Sequence, residues 1–493
     1  MKTHNRINLV SAVVLEFITV LQALVLPRLI LMTFGPEING LISSINQFLG
    51  FVTLLEGGVG TVVLASLYKP IEETDEQRIK KILCSCQKFF LLLSLIFVVY
   101  TAVLSFSYPF FAKSSFNFDF IFALIWILSI SIFTQYVFSI TYRLFLHANQ
   151  ELFKVNFISA CVIIVSFSIS IVLIFLFPNI HILKLASSAV YLMTPIVYWI
   201  IVPKKYHVGF IESIRTKEKI KNRWDGFGQN LAHFINMNTD VIVITVFLSL
   251  YHVNVYSVYL MAIGALRSLF TNIASSYQSA LGKDYASGKE DALRTHFKRF
   301  EAYSWCAAFT LFGTTLLLIN QFVSLYTINT IDSPVDYYQP VFALIIVMAN
   351  LVFCLREPYR ILVFSTGFFR ETNLGSILEA TINILVSIIL VPVIGLVGVA
   401  IGTLAAVLFR FVYYIVFLRK NILQLPLREV IVKIIIASFF IFTNIIAYLF
   451  IPLDITNIMS FIVYGFIITI CEFILSSGVL FVSNKALKNL RAV

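Results

Sequence analysis

The sequence predicts an all-α integral membrane protein with about 14 transmembrane helices. Of its 493 residues, 59% are hydrophobic and only 12% are charged, and the mean hydropathy is +0.92. Soluble domains are about half apolar and about a quarter charged, so this composition is that of a membrane protein. The apolar runs are long and lack the alternation of barrel strands, which predicts membrane-spanning helices.

Fourteen apolar segments can be marked along the chain, and a basic stretch separates the first six from the next six. The segments lie near 8–33, 39–68, 83–107, 118–147, 155–177, 182–202, 226–250, 255–280, 298–326, 338–366, 373–393, 396–418, 430–451 and 457–483. We therefore predict an N-terminal six-helix lobe (1–203), a connector (204–225), a C-terminal six-helix lobe (226–418) and an additional pair of helices with a basic tail (419–493).

A weak internal repeat predicts that the two lobes are pseudo-symmetric. Tyr142-Arg143 closes the fourth segment, and Tyr359-Arg360 lies near the end of the tenth. Asn156 and Asn373 recur at the same offset as these two pairs. Parallel repeats of six helices are one way in which transporters are built.

The connector between the predicted lobes carries seven Lys and Arg residues. They are Lys204, Lys205, Arg215, Lys217, Lys219, Lys221 and Arg223. So many charges cannot lie in hydrocarbon, so the connector lies in water or at the lipid headgroups. Its Ile, Phe and Lys content suits either a short amphipathic helix on the inner leaflet or an ordinary solvated loop.

The charges of the loops predict that both termini are cytoplasmic. Lys and Arg are concentrated at the N-terminus, in the even-numbered loops and in the C-terminal tail, whereas Lys113 and Lys184 lie on the other side. Cytoplasmic loops of membrane proteins carry this excess of basic residues. The net charge of +11 is thus explained by the anionic inner leaflet, and no nucleic-acid partner is expected.

The chain has no recognisable motif for covalent chemistry. It contains no Gly-rich phosphate loop, HExxH motif or nucleophile elbow. The predicted outward loops near 108–117 and 327–337 are short, and Asp332 and Asp336 suit a solvated loop better than a metal site. All six cysteines fall in or at the ends of helical runs, which predicts no disulfide framework. We expect no enzymatic activity, metal or cofactor.

Five arginines lie deep in the predicted spans and are candidates for binding an anion. They are Arg28, Arg267, Arg356, Arg360 and Arg410. A charge at the bilayer centre costs about 2.5–3.5 kcal/mol or more, so such residues face a cavity or a partner. Guanidiniums around an enclosed cavity suit a phosphate or pyrophosphate. Structural ion pairs are the alternative for these arginines.

Four acidic residues of the predicted spans are candidates for ion coupling or charge balance. They are Glu16, Glu56, Asp240 and Glu357. Asp240 and Arg267 are predicted near one depth, and Glu357 could neutralise one neighbouring arginine and make that cluster structural. His233 and Asn236 share a helical face with Asp240, which predicts that this face lines an aqueous cavity. Glu379 and Glu472 are isolated acids without an assigned role.

Two stretches of the chain carry a family resemblance. One is Phe34-Gly35-Pro36-Glu37-Ile38-Asn39-Gly40-Leu41, continued by Leu54-Leu55-Glu56-Gly57-Gly58-Val59-Gly60. The other is Asn238-Thr239-Asp240-Val241-Ile242-Val243-Ile244, leading to Val253-Asn254-Val255-Tyr256-Ser257-Val258-Tyr259. With the helix count and the central connector, they resemble Wzx-type polysaccharide flippases of the multidrug/oligosaccharidyl-lipid/polysaccharide (MOP) exporter superfamily. Glu56 stands where that family more often has glycine.

The resemblance implies a flippase of the bacterial cytoplasmic membrane that moves an undecaprenyl-diphosphate-linked oligosaccharide by alternating access, driven by an H⁺ or Na⁺ gradient. Helices one, two, seven and eight would line the cavity with their counterparts in the second lobe. The last two helices would form a groove for the lipid tail. The five arginines would bind the anionic headgroup. The chain would act as a monomer among membrane lipids, beside a polysaccharide polymerase and chain-length proteins.

Three other functions remain open at this stage. A multidrug or cation antiporter of the same superfamily usually has twelve helices and an acid-rich pocket, unlike this chain. A membrane glycosyltransferase or polymerase is disfavoured by the short outward loops. A non-transporting scaffold for polysaccharide assembly would keep its function after the buried arginines were neutralised.

Overall fold

The structure is a computed structural model that describes residues 2–53, 59–216, 238–368, 371–423, 427–451 and 455–491. Within these ranges the chain is almost entirely helical and has no β-strand, which confirms the prediction of an all-α protein. The predictions for Glu56, His233, Asn236 and connector residues 217–225 fall outside the described residues.

The chain divides into two compact units. The first comprises Met1–Asn254 with Asn329–Ser333, and the second comprises Val255–Ile328 with Pro334–Val493. Described helices that begin in the first unit are α1 Lys2–Phe34, α2 Pro36–Leu49, α3 Val59–Glu72, α4 Glu76–Phe111, α5 Phe118–Ala148, α6 Leu152–Leu176, α7 Ile180–Ile201, α8 Phe210–Arg215, α9 Asn238–Phe247 and α10 Leu250–Ala286. Those of the second are α11 Glu290–Thr327, α12 Pro340–Thr366, α13 Asn373–Ile394, α14 Leu396–Leu423, α15 Leu427–Phe450 and α16 Ile458–Arg491.

Within the described ranges, eleven helices are long and apolar enough to cross a membrane, and two shorter apolar helices accompany them. Large apolar side chains are exposed on their surfaces, such as Val393 (78% exposed) and Phe450 (77%). A soluble protein rarely exposes so many large hydrophobic residues, whereas lipid contact favours them. The chain is therefore a multi-pass membrane protein, and the count of 14 spans and the cytoplasmic termini stay predictions.

Two predicted segments are interrupted in the structure. In segment 39–68, α2 ends at Leu49, and the Tyr100 hydroxyl donates to the Phe48 carbonyl at 2.7 Å. In segment 182–202, a turn separates Ile180–Val190 from Met193–Ile201. Pro195 has no N–H to donate to the carbonyl four residues before it, so the helix cannot continue regularly there.

Hydrogen bonds fasten α1 to the start of α6 in the first unit. The Asn8 Oδ1 accepts from the Phe153 N–H at 2.8 Å, and the Asn8 amide donates to the Gln150 carbonyl at 3.1 Å. Further along, the Asn156 amide donates to the Ser11 hydroxyl at 3.0 Å. These bonds replace the partners that helix ends otherwise lack, so α1 is held along α6 at its polar end.

In the first unit, α2 lies against the residues around 245–254, so described parts of both resemblance stretches meet here. The Asn39 amide donates to Asn254 Oδ1 at 2.7 Å, and the Ser44 and Thr245 hydroxyls are 2.7 Å apart. A Cβ on Gly40 would lie 2.0 Å from the Leu250 carbonyl oxygen. Glycine at position 40 is therefore what allows α2 to approach the start of α10 so closely.

The described part of the connector folds back onto α4. Lys205 hydrogen-bonds to Glu76, which raises the pKa of Lys205, and Lys80 pairs with Glu212 at 3.1 Å. The short helix α8 exposes Phe210, Ile211 and Ile214. Beside it, a cavity of about 510 Å³ is lined by Gln87 of α4 and by apolar and aromatic residues of α5, α7 and the connector.

Candidate functional site

The centre of α12 carries a run of charged residues that is largely buried. Arg356, Glu357 and Tyr359 are each at most 5% exposed, although they lie in an apolar helix. Pro358 interrupts the backbone hydrogen bonds of this helix because it has no N–H. The nearby Leu355 carbonyl accepts a hydrogen bond from the Trp305 indole of α11 at 3.0 Å, which holds α12 against α11 at this point.

Glu379 of α13 lies between two guanidiniums. Its Oε1 accepts a hydrogen bond from Arg356 Nη1, and its Oε2 is 3.6 Å from Arg410 Nε of α14. All three side chains are buried. A buried charge is tolerated only when it is paired and hydrogen-bonded, and this carboxylate neutralises parts of two cations.

Three hydrogen bonds hold the guanidinium of Arg410 in place. Its guanidinium donates to the Thr372 carbonyl at 2.8 Å, to the Ser376 hydroxyl at 2.6 Å and to the Tyr414 hydroxyl at 2.9 Å. A Cβ on Gly375 would lie 2.1 Å from Arg410 Nη1, so glycine leaves the space that the guanidinium fills. Arg410 therefore fastens the start of α13 to α14, which is a structural task.

Glu357 pairs with Arg360 rather than with Arg356. The Arg360 Nε donates to both Glu357 carboxylate oxygens at 3.0 and 2.9 Å. The Arg360 side chain is 32% exposed, while that of Glu357 is fully buried. Tyr359 donates a hydrogen bond to Glu301 of α11, which adds a third carboxylate to the cluster. The charge of Arg360 is thus largely offset by its neighbour one turn away.

Arg267 of α10 differs from Arg356, Arg360 and Arg410. It is partly exposed, and its Nη1 donates to the neutral amide oxygen of Asn350 at 3.2 Å. Its guanidinium lies 5.2 Å from the centre of the Phe353 ring, and that of Arg356 lies 4.4 Å from the same centre. The π-face of Phe353 attracts both cations and brings them together. An anion that approaches Arg267 would meet a cluster with four guanidiniums and three carboxylates.

The predicted site residues are divided between the two units. Arg267, Arg356, Arg360, Arg410 and Glu357 come together in the second unit. Glu16 and Arg28 lie in α1 of the first unit and are partly exposed. Asp240 lies in α9 of the first unit and is 4% exposed.

The sequence analysis missed the role of Glu379 as the shared partner of two arginines. A depth comparison could have found it. Glu379 lies about 9 Å along the axis from the start of α13, and Arg410 lies about 12 Å before Leu418, where the α-helical part of α14 ends. Because these consecutive helices run antiparallel, both side chains lie at similar depth. The Glu301–Tyr359 contact has no comparable signal, because 58 residues separate its partners.

Neither a protein-family profile nor a curated protein sequence matches this chain. Solved structures of a flippase and of transporters match it in fold. The chain shares the fold of these solved structures and has 11 candidate membrane helices within the described residues.

Three solved structures define the likeness. The Lipid II flippase MurJ, in an inward closed conformation, aligns with a TM-score of 0.71 and 14% identity over 96% of this chain and 98% of its own. An inward-facing multidrug resistance MATE family transporter of the MOP superfamily gives 0.59 and 14% over 81% and 95%. The eukaryotic MATE transporter AtDTX14 gives 0.56 and 13% over 86% and 96%. At such identities the likeness describes the fold alone.

Proposed function

We propose that this protein is a Wzx-type flippase that moves an undecaprenyl-diphosphate-linked oligosaccharide repeat unit from the inner to the outer leaflet of the bacterial cytoplasmic membrane. The exported units would serve the synthesis of a surface polysaccharide. Fourteen spanning helices with cytoplasmic termini, a monomeric state and coupling to H⁺ or Na⁺ belong to the same proposal. A polysaccharide polymerase and chain-length proteins would act on the product.

The observation that carries this proposal is the extent of the fold match. The Lipid II flippase aligns over 96% of this chain, whereas the two MATE transporters align over 81% and 86%. A lipid flippase therefore accounts for more of the chain than a multidrug transporter does. The sequence-level resemblance to polysaccharide flippases supports the same substrate class.

The chemistry of Arg267 supports an anionic substrate headgroup. A diphosphate offers several oxygens to guanidinium donors, and charge-assisted hydrogen bonds of this kind are among the strongest that side chains make. Arg267 is partly exposed and donates a hydrogen bond to a neutral amide, whereas Arg356 and Arg410 are buried and form ion pairs with Glu379. We therefore assign headgroup binding to Arg267 first, with Arg356 as its neighbour across Phe353. Arg360 and Arg410 would mainly maintain the cluster.

Alternating access is the mechanism that we propose for the two lobes. The substrate cavity that the family resemblance implies would open first to the cytoplasm, where Arg267 would bind the diphosphate. It would then open to the other side of the membrane, where the substrate would leave. The partner charges of the cluster would keep its net charge low while the cavity is empty. Arg28 in α1 would be a second headgroup contact, and Glu16 and Asp240 would balance charge.

The test is complementation of a bacterial strain that lacks its own polysaccharide flippase, with variants compared at matched membrane abundance. Arg267→Ala should lower surface polymer about tenfold to a hundredfold, because one charge-assisted contact with a phosphate contributes about 1.5–3 kcal/mol. Lipid-linked intermediates should accumulate. The control is Lys283→Ala, which removes an exposed charge from the same helix and should leave polymer unchanged.

A second measurement in the same experiment separates binding from folding. Arg356→Ala should reduce the amount of folded protein, because it leaves the Glu379 carboxylate short of a partner. Full polymer synthesis by Arg267→Ala would contradict the assignment of the headgroup site. Failure of the unaltered protein together with export of cationic drugs would favour a MATE-like antiporter instead.

A further inference from the structure

The helix pair at the C-terminal end contains a buried carboxylate that the arginine cluster does not use. Glu472 lies within the apolar stretch Ile458–Gly478 of α16 and is 6% exposed. It faces α11 and α15, and its Oε2 accepts from the Asn444 amide at 3.4 Å. Within the described ranges, no Lys, Arg or His forms a salt bridge with it. The carboxylate thus lies in apolar surroundings with a neutral amide as its hydrogen-bond partner.

A small space beside Gly313 of α11 is faced by two oxygens. A Cβ placed on Gly313 would lie 2.5 Å from Glu472 Oε2 and 3.1 Å from Asn444 Oδ1. Asn444 is 2% exposed, and its Oδ1 finds no hydrogen-bond donor among the described residues. A buried acceptor without a donor is unfavourable, and the arrangement lacks a hydrogen-bond donor at this point.

The other groups around the carboxylate are neutral or distant. On α11, Cys306 lies about two turns from Gly313, and its thiol is 3.3 Å from the Ser476 hydroxyl. Glu301, also on α11, accepts a hydrogen bond from Tyr359. On α15, the Tyr448 hydroxyl donates to the Pro340 carbonyl at 2.9 Å. Cys471, the neighbour of Glu472 on α16, is exposed. None of these side chains offers a positive charge to Glu472.

We propose that Glu472 is a proton-binding site, occupied in this structure and emptied during transport. An ionised carboxylate without a cation is costly in apolar surroundings, whereas the neutral acid is not. The neutral acid also has an O–H that can donate to Asn444 Oδ1. One proton therefore neutralises the buried negative charge and also supplies the missing hydrogen-bond donor.

This site would give the transporter its ionic driving force at a place apart from substrate binding. It lies between α11, α15 and α16, whereas the four arginines and Glu379 lie on α10, α12, α13 and α14. The two sites share α11, which contributes Glu301 to one and Gly313 to the other. Release of the proton would leave a charge that the packing of α16 against α11 does not accommodate, so the two protonation states would favour different arrangements of these helices. The coupling to transport rests on the proposed function, but proton binding itself does not.

The experiment is labelling of the purified full-length protein in liposomes with dicyclohexylcarbodiimide, which reacts with protonated carboxyl groups in apolar surroundings. Peptides are quantified by mass spectrometry at a series of pH values. We expect an adduct on Glu472 at acidic pH that declines as the pH rises, by about tenfold per pH unit beyond the midpoint. Glu379, held between Arg356 and Arg410, should remain unlabelled and serves as the internal control.

Two further comparisons make the result decisive. Glu472→Gln should keep the thermal stability of the unaltered protein, because a glutamine amide can donate to Asn444 Oδ1 as the neutral acid does, and it should lose the adduct. Replacing choline with Na⁺ in the buffer at constant pH should leave the labelling of Glu472 unchanged. The proposal is overturned if Glu472 is never labelled, if labelling persists to alkaline pH, or if Na⁺ protects the residue. None of these readouts requires the lipid-linked substrate, so the proposed function stands or fails separately.

Discussion

Glu379→Gln is expected to cause the largest loss of stability in the second unit, about 3–5 kcal/mol. The carboxylate of Glu379 is the shared partner of Arg356 and Arg410, and all three side chains are at most 7% exposed. A neutral amide would leave two buried guanidiniums without their counter-charge. The measurement is the midpoint of thermal unfolding in detergent, together with the amount of protein in the membrane.

The matched control is Glu290→Gln at the start of α11. Glu290 also pairs with an arginine, Arg294, but the pair is 3.5 Å apart and the glutamate side chain is 74% exposed. Exposed ion pairs contribute about 0–1 kcal/mol, so this change should be nearly silent. The double variant Arg356→Met with Glu379→Leu should recover part of the lost stability, because it removes one charge from each side. Equal midpoints for Glu379→Gln and the unaltered protein would show that the cluster is not structural.

Gly40→Ala is expected to destabilise the first unit by about 3 kcal/mol, at the upper end of the usual range for overpacking. The new methyl group would lie 2.0 Å from the Leu250 carbonyl oxygen, which belongs to the backbone and cannot rotate away. Relief requires that α2 move from α10, which would stretch the Asn39–Asn254 and Ser44–Thr245 hydrogen bonds. The same unfolding measurement detects this loss.

Gly264→Ala provides the comparison for this change. Gly264 also lies in a helix, but a Cβ there meets no atom within 4 Å. Since alanine favours a helix by about 1 kcal/mol over glycine, this variant should be neutral or slightly more stable. If both alanine variants unfolded at the same temperature as the unaltered protein, the close approach of α2 and α10 would not be required.

The sequence by itself determined the class of the protein and the approximate course of its chain. Hydrophobic runs longer than a bilayer is thick can only be helices in a membrane, because lipid offers no partner for backbone N–H and C=O groups. The same constraint made the deep arginines conspicuous, because a charge within such a run is costly. Periodicity alone could not locate the break in segment 182–202, which follows from the missing N–H of one proline.

Only the tertiary structure decided which charges meet. Arg356 could have paired with Glu357 beside it, yet it pairs with Glu379, which is 23 residues away on another helix. Asn444 and Glu472 likewise come together across two helices, and Gly313 on a third leaves the space between them. Helix rotation and neighbour choice depend on packing among many side chains, and a single sequence does not reveal them. The proposed roles of Arg267 and Glu472 therefore depend on contacts that only the tertiary structure shows.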